Sequence, residues 1–194
     1  MQHNKQLEKE IDDFVLLVKF KDDRKFEESG IKGIKPEVKG IEEIETTLNS
    51  INIWFYITES EFYNTVTVEL DVNPAKAINH LSESPTVAIE RVVPLDSVVS
   101  SPLESVIETI LKLASLKIDK DESFTVRCEL NDDGLKNIES ISSPDKLINH
   151  ISGELCDELG LEYRDKNTDW VIQVEELGED TGIAVCRPDD ILMK

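Results

Sequence analysis

"SFTVRCELNDDG", residues 123–134, decides how the rest of the chain is read. Its first eight residues alternate. Phe124, Val126, Cys128 and Leu130 take one side and Thr125, Arg127 and Glu129 the other, the period of a half-buried strand. Asn131, Asp132, Asp133 and Gly134 then make an acidic turn. An arginine on the open face of the strand suits a phosphate backbone, and the aspartates that follow repel one.

The same tension runs through the composition. The 194 residues hold 41 acids against 21 bases, a net charge of −20. Residues 1–100 carry 11 bases and 19 acids, net −8, and residues 101–194 carry 10 and 22, net −12. Nucleic-acid affinity comes largely from Lys and Arg neutralising phosphates, so such a chain needs a local basic patch or a different partner. A salty cytosol that screens self-repulsion is a third reading of the excess acid. No apolar run approaches a membrane span, and the opening "MQHNKQLEKEIDD" lacks the pattern of a secretory leader, so no membrane is expected. Cys128, Cys156 and Cys186 are odd in number and widely spaced, which fits a reducing, cytoplasmic setting rather than a disulfide framework.

Working outward from 123, the upstream half reads as six elements. "FVLLVKF" (14–20) is a strand covered on both faces, and residues 38–50 place Val38, Ile41, Ile44 and Leu48 at helical spacing. "NIWFYIT" (52–58) and "TVTVELDV" (65–72) form a hairpin. Asn73-Pro74 caps a helix that ends near Ser84-Pro85, and "TVAIERVV" (86–93) is the last strand. The order β-α-β-β-α-β is the ferredoxin-like split motif, with its first and third strands central. Alternation in 65–72 suits a central strand less well than the continuous run at 14–20 does. Residues 21–37 remain a long connection. With six bases and five acids over 21–39, this window escapes the acidic trend and offers Arg24, Lys25 and Lys32 as nucleic-acid contacts.

The downstream half begins at Ser101-Pro102, read as N-cap and first helical residue, with Leu103, Val106, Ile107, Ile110, Leu111 and Ala114 on one face. After the 123–130 strand, Ser143-Pro144 starts a helix that Gly160 stops. "DWVIQVEEL" (169–177) and "IAVCR" (183–187) are strands joined by the turn "GEDTG". The fold class is therefore α+β. A ferredoxin-like unit spans 1–94 and an α-β-α-β-β unit spans 95–194, with Pro94 to Pro102 a short, stiff boundary that keeps them in contact.

Catalytic and metal chemistry find little footing. His3, His80 and His150 lack ligand spacing, and Cys-x-x-Cys, a nucleophile elbow and phosphate-cradling glycine loops are all missing. Cys128, Cys156 and Cys186 read as packing thiols, and Asp180-Thr181-Gly182 as a hairpin turn rather than a protease aspartate. No metal, no cofactor and no enzymatic activity are expected.

"IERVVPLDSVVSSPLESVIETILKLASLKIDKDESFTVRCEL" and "SPDKLINHISGELCDELGLEYRDKNTDWVIQVEELGEDTGIAVCR" together resemble the THUMP domain over roughly residues 90–194. The marks are a strand ending in apolar residues and proline, a long helix, "SF.VR", a Ser-led helix, and an Asp-aromatic-apolar strand running into "V-E". A ferredoxin-like unit commonly precedes that domain, and the layout is closest to stand-alone THUMP proteins similar to the adaptor for tRNA cytidine acetylation. The resemblance implies a non-catalytic, tRNA-binding protein that presents tRNA to a separate modifying enzyme such as an RNA cytidine acetyltransferase. In that family the strand after "SF.VR" runs into Arg- and Gly-rich residues, where this chain has Asn131, Asp132 and Asp133. Besides the loop bases, the RNA-facing candidates are Arg127, Lys136, Lys146, Arg164 and Lys166, with the helix N-terminus at Ser143. The run Trp54, Phe55, Tyr56 is expected to be buried against the helices, with a stacking platform for bases as its alternative. A protein–protein scaffold that keeps the fold and has lost strong RNA binding is the rival reading.

Overall fold

The computed structural model describes residues 14–130 and 143–194. Strand β1 (Phe14–Phe20) buries Leu16, Leu17 and Val18 completely, so both its faces are covered, as an uninterrupted apolar run requires. It lies at the centre of a sheet ordered β10-β4-β1-β3-β2, in which every neighbouring pair is antiparallel. Here β2 is Phe55–Glu59, β3 Thr65–Leu70, β4 Ile89–Leu95 and β10 Leu192–Met193. Helices α2 (Pro36–Ser50) and α3 (Pro74–Glu83) cover one face, packing Ile44, Leu48, Ala77 and Leu81 on Leu16, Val18, Val66 and Val68. Strands β1 and β3 are central, as the β-α-β-β-α-β order predicts. The alternation in β3 has a local cause: Thr67 and Glu69 lie on its second face, which is only half covered.

The second sheet is ordered β5-β9-β8-β6-β7. Its members are β5 (Ser97–Ser100), β6 (Ser123–Glu129), β7 (Glu162–Tyr163), β8 (Trp170–Leu177) and β9 (Asp180–Cys186). β6 runs parallel to both β7 and β8, and the other pairs are antiparallel. Helices α4 (Leu103–Lys117) and α5 (Pro144–Leu159) cover one face, closing a core of Val106, Ile110, Phe124, Val126, Leu147, Ile151, Ile172 and Val174. The opposite face packs on the first sheet through Leu17, Val93 and Leu95 against Val171, Ala184 and Cys186. The layers therefore run helices, sheet, sheet, helices.

Several sequence expectations are corrected. Residues 21–37 are not featureless: α1 (Asp23–Glu27) forms there, capped by Asp22, whose carboxylate accepts the Lys25 N–H at 2.8 Å, and pinned by the buried ring of Phe26. β2 starts at Phe55, because Asn52 turns the chain at φ 54°. Ser101 does not cap α4. Pro102 holds that position, and Ser101 Oγ instead donates to the Glu179 carbonyl at 2.8 Å and meets Thr181 Oγ1 at 3.1 Å. Residues 97–100, read as boundary, form β5 and pair with β9. The turn after β8 is Gly178-Glu179 alone, with Gly178 at φ 83°, so Asp180-Thr181-Gly182 opens β9 instead of turning.

Other caps stand where the sequence puts them. Asn73 accepts the Ala75 N–H at 2.9 Å and Ser143 the Lys146 N–H at 3.3 Å, and Gly160 closes α5 at φ 68°.

Candidate nucleic-acid interface

Arg127 and Glu129 sit on the β6 face that looks away from α4 and α5, toward the first sheet. Register places Arg127 beside Gln173 and Glu129 beside Glu175 on β8. Glu175 is fully buried, and the first sheet supplies its counter-charges. Arg91 Nη2 lies 2.6 Å from Glu175 Oε1, and Lys19 Nζ lies 2.8 Å from Glu175 Oε2. Gln173 Nε2 donates to Glu175 Oε1 at 2.9 Å. The same two bases reach Glu129, Lys19 at 2.9 Å and Arg91 at closer range. Burial pushes the Glu175 carboxyl above its ordinary value despite the Lys19 and Arg91 charges. Burial also acts upward on Glu129, but there the Arg91 and Lys19 hydrogen bonds and charges outweigh it and hold the group low.

Beside this cluster opens a cleft of about 630 Å³, lined by Lys19, Phe62, Tyr63, Thr65, Cys128, Glu129, Leu130 and Glu176. The Tyr63 hydroxyl donates to Asp23 at 3.0 Å, which brings α1 to the rim. Asp23 of α1 and the C-terminal end of β6, far apart in sequence, thus border one region.

The individual cations differ in freedom. Arg24, Lys32, Arg127 and Lys166 are exposed and form no ion pair among the described residues. Lys25 is exposed but held by Glu90. Arg164 donates twice to the Glu162 carboxylate, both at 2.8 Å, so its charge is locally neutralised. Its backbone N–H reaches the Phe124 carbonyl at 2.9 Å, setting it along the β6–β7 edge. Lys146 is exposed in the first turn of α5, on the helix-covered side of the second sheet. Lys136 lies outside the described residues, as do Asn131, Asp132 and Asp133.

Sequence reading missed the partners that organise this region. Lys19 and Arg91 stand within strands read only as apolar runs, and nothing nearby in sequence announces Glu129 or Glu175. Arg187 was missed too: its guanidinium stacks 3.9 Å from the centre of the Trp170 ring and donates to Glu122 at 2.7 Å. Trp54 and Tyr56 overturn their expected burial, each being 58% exposed while Phe55 packs against the first core. Burial pushes the Cys128 and Cys186 thiols up to about 12, consistent with packing roles.

No protein-family pattern matches the sequence, and no curated protein matches it. Solved structures do. PH1313 from Pyrococcus horikoshii Ot3 superposes with a TM-score of 0.68 at 17% identity, over 93% of this chain and 55% of that one. A 4-thiouridine synthetase solved as an RNA complex with bound ATP matches with a TM-score of 0.59 at 15% identity, over 90% and 41%. TrmN from Thermus thermophilus matches with a TM-score of 0.54 at 12% identity, over 93% and 46%. The chain spans about half the length of the solved structures it matches. At these identities the likeness concerns the fold alone, and that fold is a two-sheet α+β arrangement of the THUMP-like kind.

Proposed function

We propose that this chain is a non-catalytic RNA-binding module that holds tRNA for a separate modifying enzyme. The observation that carries the reading is the fold likeness across about nine-tenths of the chain to a structure solved with RNA bound. The exposed bases Arg24 and Arg127 support it, since neither has a carboxylate partner among the described residues. A cytidine acetyltransferase as the served enzyme follows from the family resemblance of the sequence.

Filter binding of the full chain to total tRNA tests this. Retention is expected at about 50 mM salt and is expected to fall steeply by about 200 mM, because the affinity is electrostatic. Absence of retention at the lower salt overturns the reading.

The rival, a protein-binding scaffold, draws on one observation: Lys25, Lys117, Arg164 and Arg187 are each engaged by a carboxylate of the chain itself. On that reading tRNA is not retained at any salt and a basic protein is.

A further inference from the structure

Among the described residues four strands bound the two sheets, and β2 is the longest of them, at five residues against four for β5 and two each for β7 and β10. A free edge presents unpaired N–H and C=O groups, and proteins blunt such edges with lysine, proline or bulges. β2, "FYITE", contains no lysine or proline, and its register with β3 runs unbroken from Phe55↔Leu70 to Glu59↔Val66. Among the described residues no hydrogen bond reaches its outer side.

The strand is firmly seated, because Phe55 and Ile57 pack against the first core. Alternation then throws Trp54 and Tyr56 to the other side, each 58% exposed. Tyr56 lies opposite Glu69. Trp54 continues the register opposite Asp71, whose N–H donates to the Trp54 carbonyl at 3.4 Å. Glu59 ends the strand and Glu61 follows it, both exposed. From residue 40 through 75 the chain has no lysine or arginine and seven acids. An aromatic pair set among carboxylates attracts ammonium and guanidinium groups and repels phosphate.

We infer that β2 is a docking edge for an extended, Lys- or Arg-bearing segment of another protein, which joins the first sheet as an added strand. Main-chain hydrogen bonds supply the attachment, and alternate basic side chains lie over Trp54 and Tyr56 toward Glu69 and Asp71. Charge selects this occupant over the others. A second copy would set one acidic edge against another. Residues 1–13 carry two lysines against four acids, and residues 131–142 one lysine against three, so neither segment complements the edge. The inference goes beyond the RNA reading and does not depend on it.

The test is titration of the full chain with a blocked eight-residue peptide alternating lysine and valine, followed by calorimetry and by amide hydrogen exchange. The expected result is saturable binding with slowed exchange confined to residues 55–59 and their β3 partners. Trp54→Ala and Tyr56→Ala should each weaken it about tenfold, as loss of an aromatic anchor does. Leu116→Ala, at an exposed position on α4, should leave it unchanged. Four outcomes overturn the inference. The peptide does not bind. A peptide of equal charge with alternate backbone nitrogens methylated binds as well, which shows charge attraction without strand addition. Total tRNA displaces the peptide and protects the same amides, which makes the edge an RNA surface. The chain self-associates and protects those amides without peptide, which makes the occupant a second copy.

Discussion

The backbone N–H and hydroxyl of Ser123 both donate to Asp169 Oδ2, each at 2.8 Å, and the Asp169 N–H returns to the Ser123 carbonyl at 3.1 Å. This clip fastens the first residue of β6 to the residue before β8 and sets the parallel register Phe124↔Trp170. The two fragments that carry the family resemblance, "SFTVR" and "DWVIQVEE", are therefore neighbours in space. The backbone and hydroxyl donors of Ser123 lower the Asp169 carboxyl below its ordinary 3.8.

Ser123→Ala should accordingly lower the thermal midpoint by roughly 2–4 °C at pH 7. A carboxylate with a lowered value stabilises the fold above its unfolded value, and that contribution disappears as pH falls through the folded one. The gap between Ser123→Ala and the unaltered chain should thus narrow toward pH 3. Calorimetric scans from pH 3 to 7 measure it, and a gap that stays constant would show that the carboxylate is not the partner that matters.

The buried cluster gives two opposite pH signatures. Glu175 is raised above its ordinary 4.5, so its proton-linked contribution is complete below that value and fades as pH rises through the folded one. Glu129 is lowered, so its contribution is present above 4.5 and is lost on acidification. Glu175→Gln, a stand-in for the protonated acid, should therefore become relatively more stable than the unaltered chain as pH climbs from 4.5 to 8. Glu129→Gln should be destabilised by about 1 kcal/mol at pH 7, as half-exposed ion pairs are, and the difference should shrink as pH falls below 4.5 through the folded value. Urea midpoints across this range check both signs.

Free and engaged arginines should separate in RNA binding. If Arg127 meets a phosphate, Arg127→Ala should reduce the salt slope of tRNA binding by about 0.9. Arg164→Ala should change it little, because Glu162 already occupies that guanidinium. Equal effects of the two substitutions in a salt series would remove the distinction drawn here.

Gly40 lies in the middle of α2, where alanine would ordinarily gain about 1 kcal/mol of helix propensity. A Cβ at this position would land on the ring of Phe20, which is itself only 3% exposed and cannot swing clear. Overpacking of this kind costs about 1–3 kcal/mol. Gly40→Ala is expected to be net destabilising, by about 1 kcal/mol in chemical denaturation, and a stabilised variant would show that the ring yields.

The parts legible in sequence are those governed by local rules. Alternation located β6, and the Asn73-Pro74 and Ser143-Pro144 pairs with Gly160 located α3 and α5, because side-chain period and capping act over a few residues. What stayed hidden depends on partners far along the chain. Ser101 looked like a cap but spends its hydroxyl on Glu179 and Thr181, nearly eighty residues away. β5 is four residues of serine and valine that become a strand only because β9 lies alongside. Lys19 and Arg91 could not be assigned roles until the fold set Glu129 and Glu175 against them, and Trp54 and Tyr56 proved exposed because they lie on the face of the edge strand β2 that the helices do not cover.

Leu192 and Met193 pair with Val92 and Arg91, completing the first sheet with residues made about a hundred positions after β4. On a ribosome, then, the earlier half leaves the exit tunnel with that flank of β4 open, and it stays open until the later half has been translated. A chaperone or a misplaced strand could occupy it in the interval. Sealing the flank is a late event of biosynthesis that couples the maturation of one half to the synthesis of the other.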